Sequence, residues 1–142
     1  MFDLKQQYKY FIFILTIVVC ICGFPSFGGT QSLQELAAEN AKLFSVNRDS
    51  AFTFLDELIQ RATTENDTAI ELNLLERKCR YFYLNNQPDN LIYTSEQLND
   101  KSLLYQDLYG QGMANVYMAE AYSINHLYDK AIANFDRSYK IV

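Results

Sequence analysis

The sequence predicts an all-α protein, a solenoid of three antiparallel helix pairs, and three observations carry that expectation. Apolar residues recur at helical spacings instead of alternating. Only five glycines and two prolines interrupt 142 residues that are 49% hydrophobic and 15% aromatic, enough apolar surface for one modest core. Asp49-Ser50-Ala51-Phe52, Asp89-Asn90-Leu91-Ile92 and Asp129-Lys130-Ala131-Ile132 follow one another at an interval of 40 residues, each reading acid, any residue, small or aliphatic, large apolar. A fixed period of about 20 to 50 residues marks stacked supersecondary units, and it favours a binding scaffold over a catalyst.

The N-terminus reads as a separate segment. Lys5 and Lys9 precede the apolar run Phe11 to Cys22, which then meets Gly23, Pro25, Gly28 and Gly29. This is the layout of an export signal over residues 1–28, with Ser26 and Gly28 at the small-residue positions a peptidase needs. The run is shorter than the roughly 20 residues of a bilayer span, so cleavage is expected and an uncleaved signal anchor is the alternative. A lipid-attachment reading fails because Val19 and Ile21, not small residues, precede Cys20 and Cys22. Losing Lys5, Lys9 and Asp3 takes the 12 basic and 17 acidic residues to 10 and 16, and leaves Cys79 as the only thiol. No intramolecular disulfide can then form, so stability rests on packing.

The helical domain is expected over residues 29–142, in units of about 31–63, 67–99 and 102–142. Ser32-Leu33-Gln34-Glu35 is a capping box that starts the first helix, which runs to about Val46. A second helix spans about Arg48 to Ala62, with Asp49 in the first turn, where the helix dipole favours an anion. After the polar turn Thr63–Asp67, a third helix carries the stripe Leu72, Leu75, Cys79, Phe82 and ends near Asn85-Asn86. Pro88 opens a fourth through about Leu98, and Asn99 to Ser102 form the next break. Tyr105, Tyr109, Gly112, Val116, Ala119 and Tyr122 share a face of the fifth helix, where Gly110 and Gly112 imply close backbone approach to a neighbour. The sixth has the most regular stripe: Tyr128, Ala131, Ile132, Phe135, Tyr139 and Val142, opposite Asp129, Lys130, Asp136, Arg137 and Lys140.

Ala119, Tyr122, Tyr128, Ala131 and Phe135 make residues 115–142 resemble a tetratricopeptide repeat. Forty residues earlier Cys79, Phe82, Pro88 and Leu91 take the places of Ala119, Tyr122, Tyr128 and Ala131. In the first unit the second helix keeps register through Ala51, Leu55 and Leu58, whereas the first helix needs a one-residue shift onto Ala38 and Ala41. The period is 40 instead of 34, His126 replaces the usual glycine between helices, and Ser138 replaces an alanine. The resemblance implies a right-handed α-solenoid whose concave surface, lined by the first helix of each pair, binds peptides. Carried onto the second and third units, that surface comprises Asn73, Glu76, Arg80, Tyr83, Met113, Glu120 and Ser123. Arg80 and Glu120 stand where the carboxylate-clamp type of repeat has asparagine, which argues against that ligand class. Solenoids end in a polar capping element, so Ile141-Val142 directly after a good repeat leads to the expectation of a truncated C-terminus, the alternative being a partner or dimer mate that covers that end.

No catalytic, cofactor or metal constellation is evident. The chain has one histidine, one cysteine beyond the export segment, and no phosphate-loop glycine pattern. Gly110-Gln111-Gly112 lies within a helical pattern and follows no strand. Cys79 reads as a small core residue, His126 as a solvated turn residue, and Asp56-Glu57 as an exposed edge. Asn66-Asp67-Thr68 matches a glycosylation acceptor, but helix capping alone accounts for these residues. A net charge of −5 with no basic stripe argues against nucleic acid binding. The expected function is therefore an exported, non-catalytic scaffold contacting a protein or peptide, associated with a membrane only if the N-terminal segment stays attached. The alternative is the sensor region of a longer membrane signalling protein, with a histidine kinase or helix-turn-helix output module after residue 142. A helical enzyme lacks the acid-base or metal set it needs.

Overall fold

A computed structural model describes residues 31–141. The expected export segment, Gly29, Thr30 and Val142 lie outside the described residues. Among those described there is no strand, and the helices are α1 (Leu33–Val46), α2 (Arg48–Phe52), α3 (Leu55–Glu65), α4 (Thr68–Leu84), α5 (Pro88–Leu104), α6 (Leu108–Ile124) and α7 (Tyr128–Ile141). None of them is long and apolar enough to cross a membrane.

Helix starts at 48, 68, 88, 108 and 128 show that the sequence period of 40 is two structural steps of 20. The turns follow the same step. Asn66, Asn86, Gln106 and His126 have φ of 57°, 53°, 58° and 58°, the left-handed conformation that ends a helix. Each turn closes with the same pair of backbone bonds, the one spanning more residues being Asp67 N to Ala62 O (3.0 Å), Gln87 N to Phe82 O (2.9 Å), Asp107 N to Ser102 O (2.8 Å) and Leu127 N to Tyr122 O (2.8 Å). Caps restore the longer period: Asp67 and Asp107 accept from Ile70 N and Gly110 N, whereas the helix at 88 starts with proline and no side-chain cap. Because a left-handed residue with a Cβ costs roughly 1–2 kcal/mol, Gln106→Gly should stabilise the fold by about 0.5–1 kcal/mol. A rise in thermal midpoint is the measurement, and an unchanged or lower midpoint contradicts the turn assignment.

Two expected boundaries move. Asn99–Ser102 is helical, because Leu98 and Ser102 are buried and Lys101 reaches across to α4; the break falls at Tyr105–Asp107, and the next helix begins at Leu108. The expected second helix is divided at Thr53-Phe54. Ala51 O accepts both Asn40 Nδ2 (2.8 Å) and Phe54 N (3.3 Å), which tightens that turn. The Ala38 and Ala41 register of α1 does not hold either. Both alanines are exposed, and Asn40 takes the buried place, because α1 joins α2 through the single residue Asn47, whose side chain caps Ser50 N.

α4 organises the core. It touches every other helix except α7, and its neighbouring residues Leu74 and Leu75 enter different clusters. Leu74 joins Leu33, Leu55, Leu58 and Ala62; Leu75 joins Cys79, Phe82, Leu91, Leu98, Ala114, Tyr117 and Ala121. The first helices of the pairs touch one another, α1 on α4 and α4 on α6. The second helices do not: among the described residues α3 has no backbone contact with α5, nor α5 with α7. Each second helix instead packs against the first helices beside it, and the gap between α3 and α5 is bridged from α4. Glu71, 1% exposed, accepts from Thr63 of α3 (2.7 Å) and Tyr105 at the end of α5 (2.6 Å), and pairs with Lys101 of α5 (2.8 Å).

Burial also shows where polar atoms have no partner. Thr94 Oγ1 on α5 is buried without a hydrogen bond. Thr94→Val keeps the shape and removes the unpaired hydroxyl, so it should raise stability by about 1 kcal/mol. Urea unfolding midpoints test this, and a loss of stability contradicts it.

Candidate functional site

The face of α4 turned away from α5 carries Asn73, Glu76, Arg77, Arg80 and Leu84, spaced i, i+3, i+4, i+7, i+11. Opposite stand Phe44 and Val46 of α1 and Arg48 of α2, and the cleft between them measures about 550 Å³. Its walls are held by a polar contact set around Arg77. Arg77 Nη1 donates to Ala37 O (3.1 Å) and Asn40 Oδ1 (2.8 Å), and Nη2 donates to Asn73 Oδ1 (2.9 Å). Since Asn40 also donates to Ala51 O, one buried amide ties α1, α2 and α4 together.

Electrostatics in this cleft are opposed to those of the chain as a whole. Arg48, Arg77 and Arg80 line it beside one acid, Glu76. Burial pushes the Glu76 carboxyl above its ordinary range, against the pull of Arg80 and Arg77. Burial likewise lowers the Arg77 guanidinium, with Glu76 opposing. A second cleft, about 330 Å³, lies between α4 and α6 and is lined by Leu72, Asn73, Glu76, Tyr105, Tyr109 and Gly110, among others. Asn73 and Glu76 therefore border both hollows.

Of the expected binding residues, Asn73, Glu76 and Arg80 come together in the α1–α4 cleft. Tyr83 is exposed on the last turn of α4 but lines neither cleft. Met113 packs against the larger core cluster, and Glu120 and Ser123 are half-buried on α6 away from both clefts. Sequence reasoning passed over Arg48, Arg77 and Tyr109. Arg77 was legible, since it stands four residues from Asn73 on one helical face; Arg48 comes from a different helix, and no periodicity relates it to the others.

The residues expected to define a repeat divide by depth. Cys79, Phe82, Leu91, Ala119 and Ala131 are buried, while Tyr122 is half-buried beneath Lys130, whose Nζ lies 5.3 Å from the ring centroid. Tyr128 and Phe135 are 58% and 40% exposed, so on α7 the apolar stripe lies largely in solvent, with Ala131 the only buried one among its described residues. Packing on α6 uses Ala131 and Asn134, a narrower face than the stripe predicted.

Cys79 is fully buried and its thiol, 3.7 Å from Ser95 Oγ, is pushed up to about 12 by burial, which removes thiolate chemistry at neutral pH. His126 is an exposed turn residue with Nδ1 2.9 Å from Tyr128 Oη. No group of three or more His, Cys, Asp or Glu able to hold a metal ion occurs among the described residues. No family model, curated protein or solved structure matches the chain.

Proposed function

We propose that this chain is an exported, non-catalytic scaffold of tetratricopeptide-like helix pairs, wound as a right-handed solenoid, that holds a protein or peptide against its inner face. The observation that carries this reading is the asymmetry between the helix layers. Helices α1, α4 and α6 touch side by side, whereas among the described residues α3, α5 and α7 make no backbone contact with one another. Elements close on one side and splayed on the other curve toward the close side, and repeat arrays use such concave surfaces for binding. Both clefts on α4 are lined mainly by helices of that layer and the turns beside them. Export draws on Lys5, Lys9 and the apolar run after them.

A random peptide display selected on the full chain tests the reading, with amide hydrogen exchange locating the bound segment. Selected peptides should protect α4 and its neighbours α1 or α6. Protection confined to the outer helices, or no selection at all, overturns it. A second reading, the sensor region of a longer membrane signalling protein, is favoured by the apolar face of α7, where Ile132 and Tyr139 are 59% and 87% exposed. Such a face suits a further helix. Extending the reading frame past Val142 discriminates: a stop codon favours the scaffold alone, and a membrane span followed by an output module favours the sensor.

A further inference from the structure

We propose that the α1–α4 cleft is the site of an acidic peptide segment, with Arg48, Arg77 and Arg80 receiving its aspartate or glutamate carboxylates and Phe44, Val46 and Leu84 receiving a neighbouring apolar side chain. This rests on the scaffold reading above and adds to it the chemistry of the partner and the place where it binds.

Charge distribution is the first argument. The chain carries a net charge of −5, yet three of its five arginines line this one cleft and Glu76 is the only acid among the lining residues. Three other cations are matched within the fold, Arg61 with Glu65, Lys78 with Asp56 and Lys101 with Glu71, whereas Lys42, Lys130, Arg137 and Lys140 make no ion pair among the described residues and line no part of this cleft. Arg48 and Arg80 line the cleft and make no ion pair or hydrogen bond with another described residue, the one cleft carboxylate that draws on Arg80 being Glu76.

Preorganisation is the second. Arg77 is half-buried, and its three hydrogen bonds go to the neutral oxygens of Ala37, Asn40 and Asn73. Neutral acceptors fix the direction of the guanidinium plane without cancelling its charge. A planar guanidinium held in place is the donor geometry that binds carboxylates in a bidentate manner, at small cost in side-chain entropy. Glu76 sets polarity within the groove, since a ligand carboxylate is repelled there and directed toward Arg48 and Arg80.

Shape is the third. A volume of about 550 Å³ falls within the usual range of ligand clefts, roughly 300–1,000 Å³, and Phe44, Val46 and Leu84 add apolar surface to its polar lining. Val46 is 85% exposed and Leu84 43% exposed. An acid flanked by an apolar residue meets both surfaces at once. Nucleic acid fits less well, because its affinity comes from neutralising many phosphates along a track, and this cationic surface is one cleft on an acidic chain.

The test uses the full chain and fluorescence anisotropy with two peptide pools about a dozen residues long. One pool fixes Asp or Glu at alternate positions, the other Asn or Gln, with all residues allowed between. The acidic pool should bind at least about tenfold more tightly and weaken between about 50 and about 500 mM NaCl. Arg48→Gln and Arg80→Gln, both at exposed positions, should each cost about fivefold and together well over tenfold, with thermal midpoints unchanged. Equal binding of the two pools, an unaffected double variant, or tighter binding of a single-stranded oligonucleotide overturns the proposal. If the amide pool binds equally and protects α4, the scaffold reading stands and the acidic site falls. If neither pool binds and display selects nothing, both fall.

Discussion

Lys101→Met is expected to lower the stability of the fold by about 3 kcal/mol at neutral pH. Its partner explains the size. Glu71 has a side chain only 2% exposed, and among the described residues Lys101 is the sole cation that pairs with it. Burial pushes the carboxyl up, but bonds from Lys101, Tyr105 and Thr63 outweigh that and hold it below its ordinary range. Without the ammonium, two hydroxyl donors must support a buried anion. Glu71→Gln should cost less, about 1–2 kcal/mol, because Lys101 is 34% exposed and can turn to water, while the glutamine Oε1 still accepts from one of the Thr63 and Tyr105 hydroxyls and its Nε2 donates to the other once that hydroxyl rotates.

The pH dependence has a definite sign. A carboxyl whose folded value is depressed contributes stability above its unfolded value and loses that contribution as pH falls through the folded one. Lys101 is raised by its bond to Glu71 and Tyr105 by the same carboxylate, so their contributions are present below their unfolded values and fade as pH rises through the folded ones. Wild type should therefore be most stable between the acid and alkaline limits. In Lys101→Met, protonation of Glu71 relieves the buried charge, so the difference from wild type should shrink on acidification. Urea midpoints measured at neutral pH and below the ordinary carboxylate range decide this, and an equal gap at both sinks the account.

That contact set shows why parts of the fold were legible in the sequence and others were not. Asp49, Asp89 and Asp129 each fall at the second position of a helix, because the dipole and the repeat act on the same residue. The segment Asn99-Asp100-Lys101-Ser102 is as polar as a turn, yet it is helical because Lys101 answers a buried acid 30 residues away and Ser102 faces α6. Local composition carries no record of such a partner. The true turn, Tyr105-Gln106-Asp107, holds neither glycine nor proline; its signal is the Asp107 cap, which accepts from Gly110 N. On α7 the stripe correctly located a helix but not its burial, since periodicity specifies an apolar face without specifying a neighbour to cover it. The site divides in the same way. Asn73, Glu76 and Arg80 follow from helical phase, whereas Arg48 enters the cleft only through the tertiary docking of α2.

Gly110→Ala is expected to destabilise the fold by about 2 kcal/mol, although the same change in an open helix would stabilise it by about 1 kcal/mol. A Cβ at Gly110 would lie 2.1 Å from Ser102 Oγ, 2.6 Å from Asp107 Oδ2 and 3.0 Å from Ser102 Cβ. Asp107 must then withdraw the carboxylate that caps α6 through Gly110 N at 2.9 Å, and Ser102 must move within a buried site where its hydroxyl already lacks a partner. Forty residues earlier the same two positions are Ala62 and Ile70, and both pack into one apolar cluster. A smaller residue at the end of the preceding helix there leaves room for a larger one at the start of the next, so Ser102 and Gly110 form a coupled pair. Ser102→Ala alone should raise stability by about 1 kcal/mol by removing the unpaired hydroxyl. In that background Gly110→Ala should cost about 1 kcal/mol less than in wild type, because the nearest clash is gone while the Asp107 contact persists. A double-mutant cycle in urea reads the coupling directly. Strict additivity of the two changes would refute this close packing of α5 on α6.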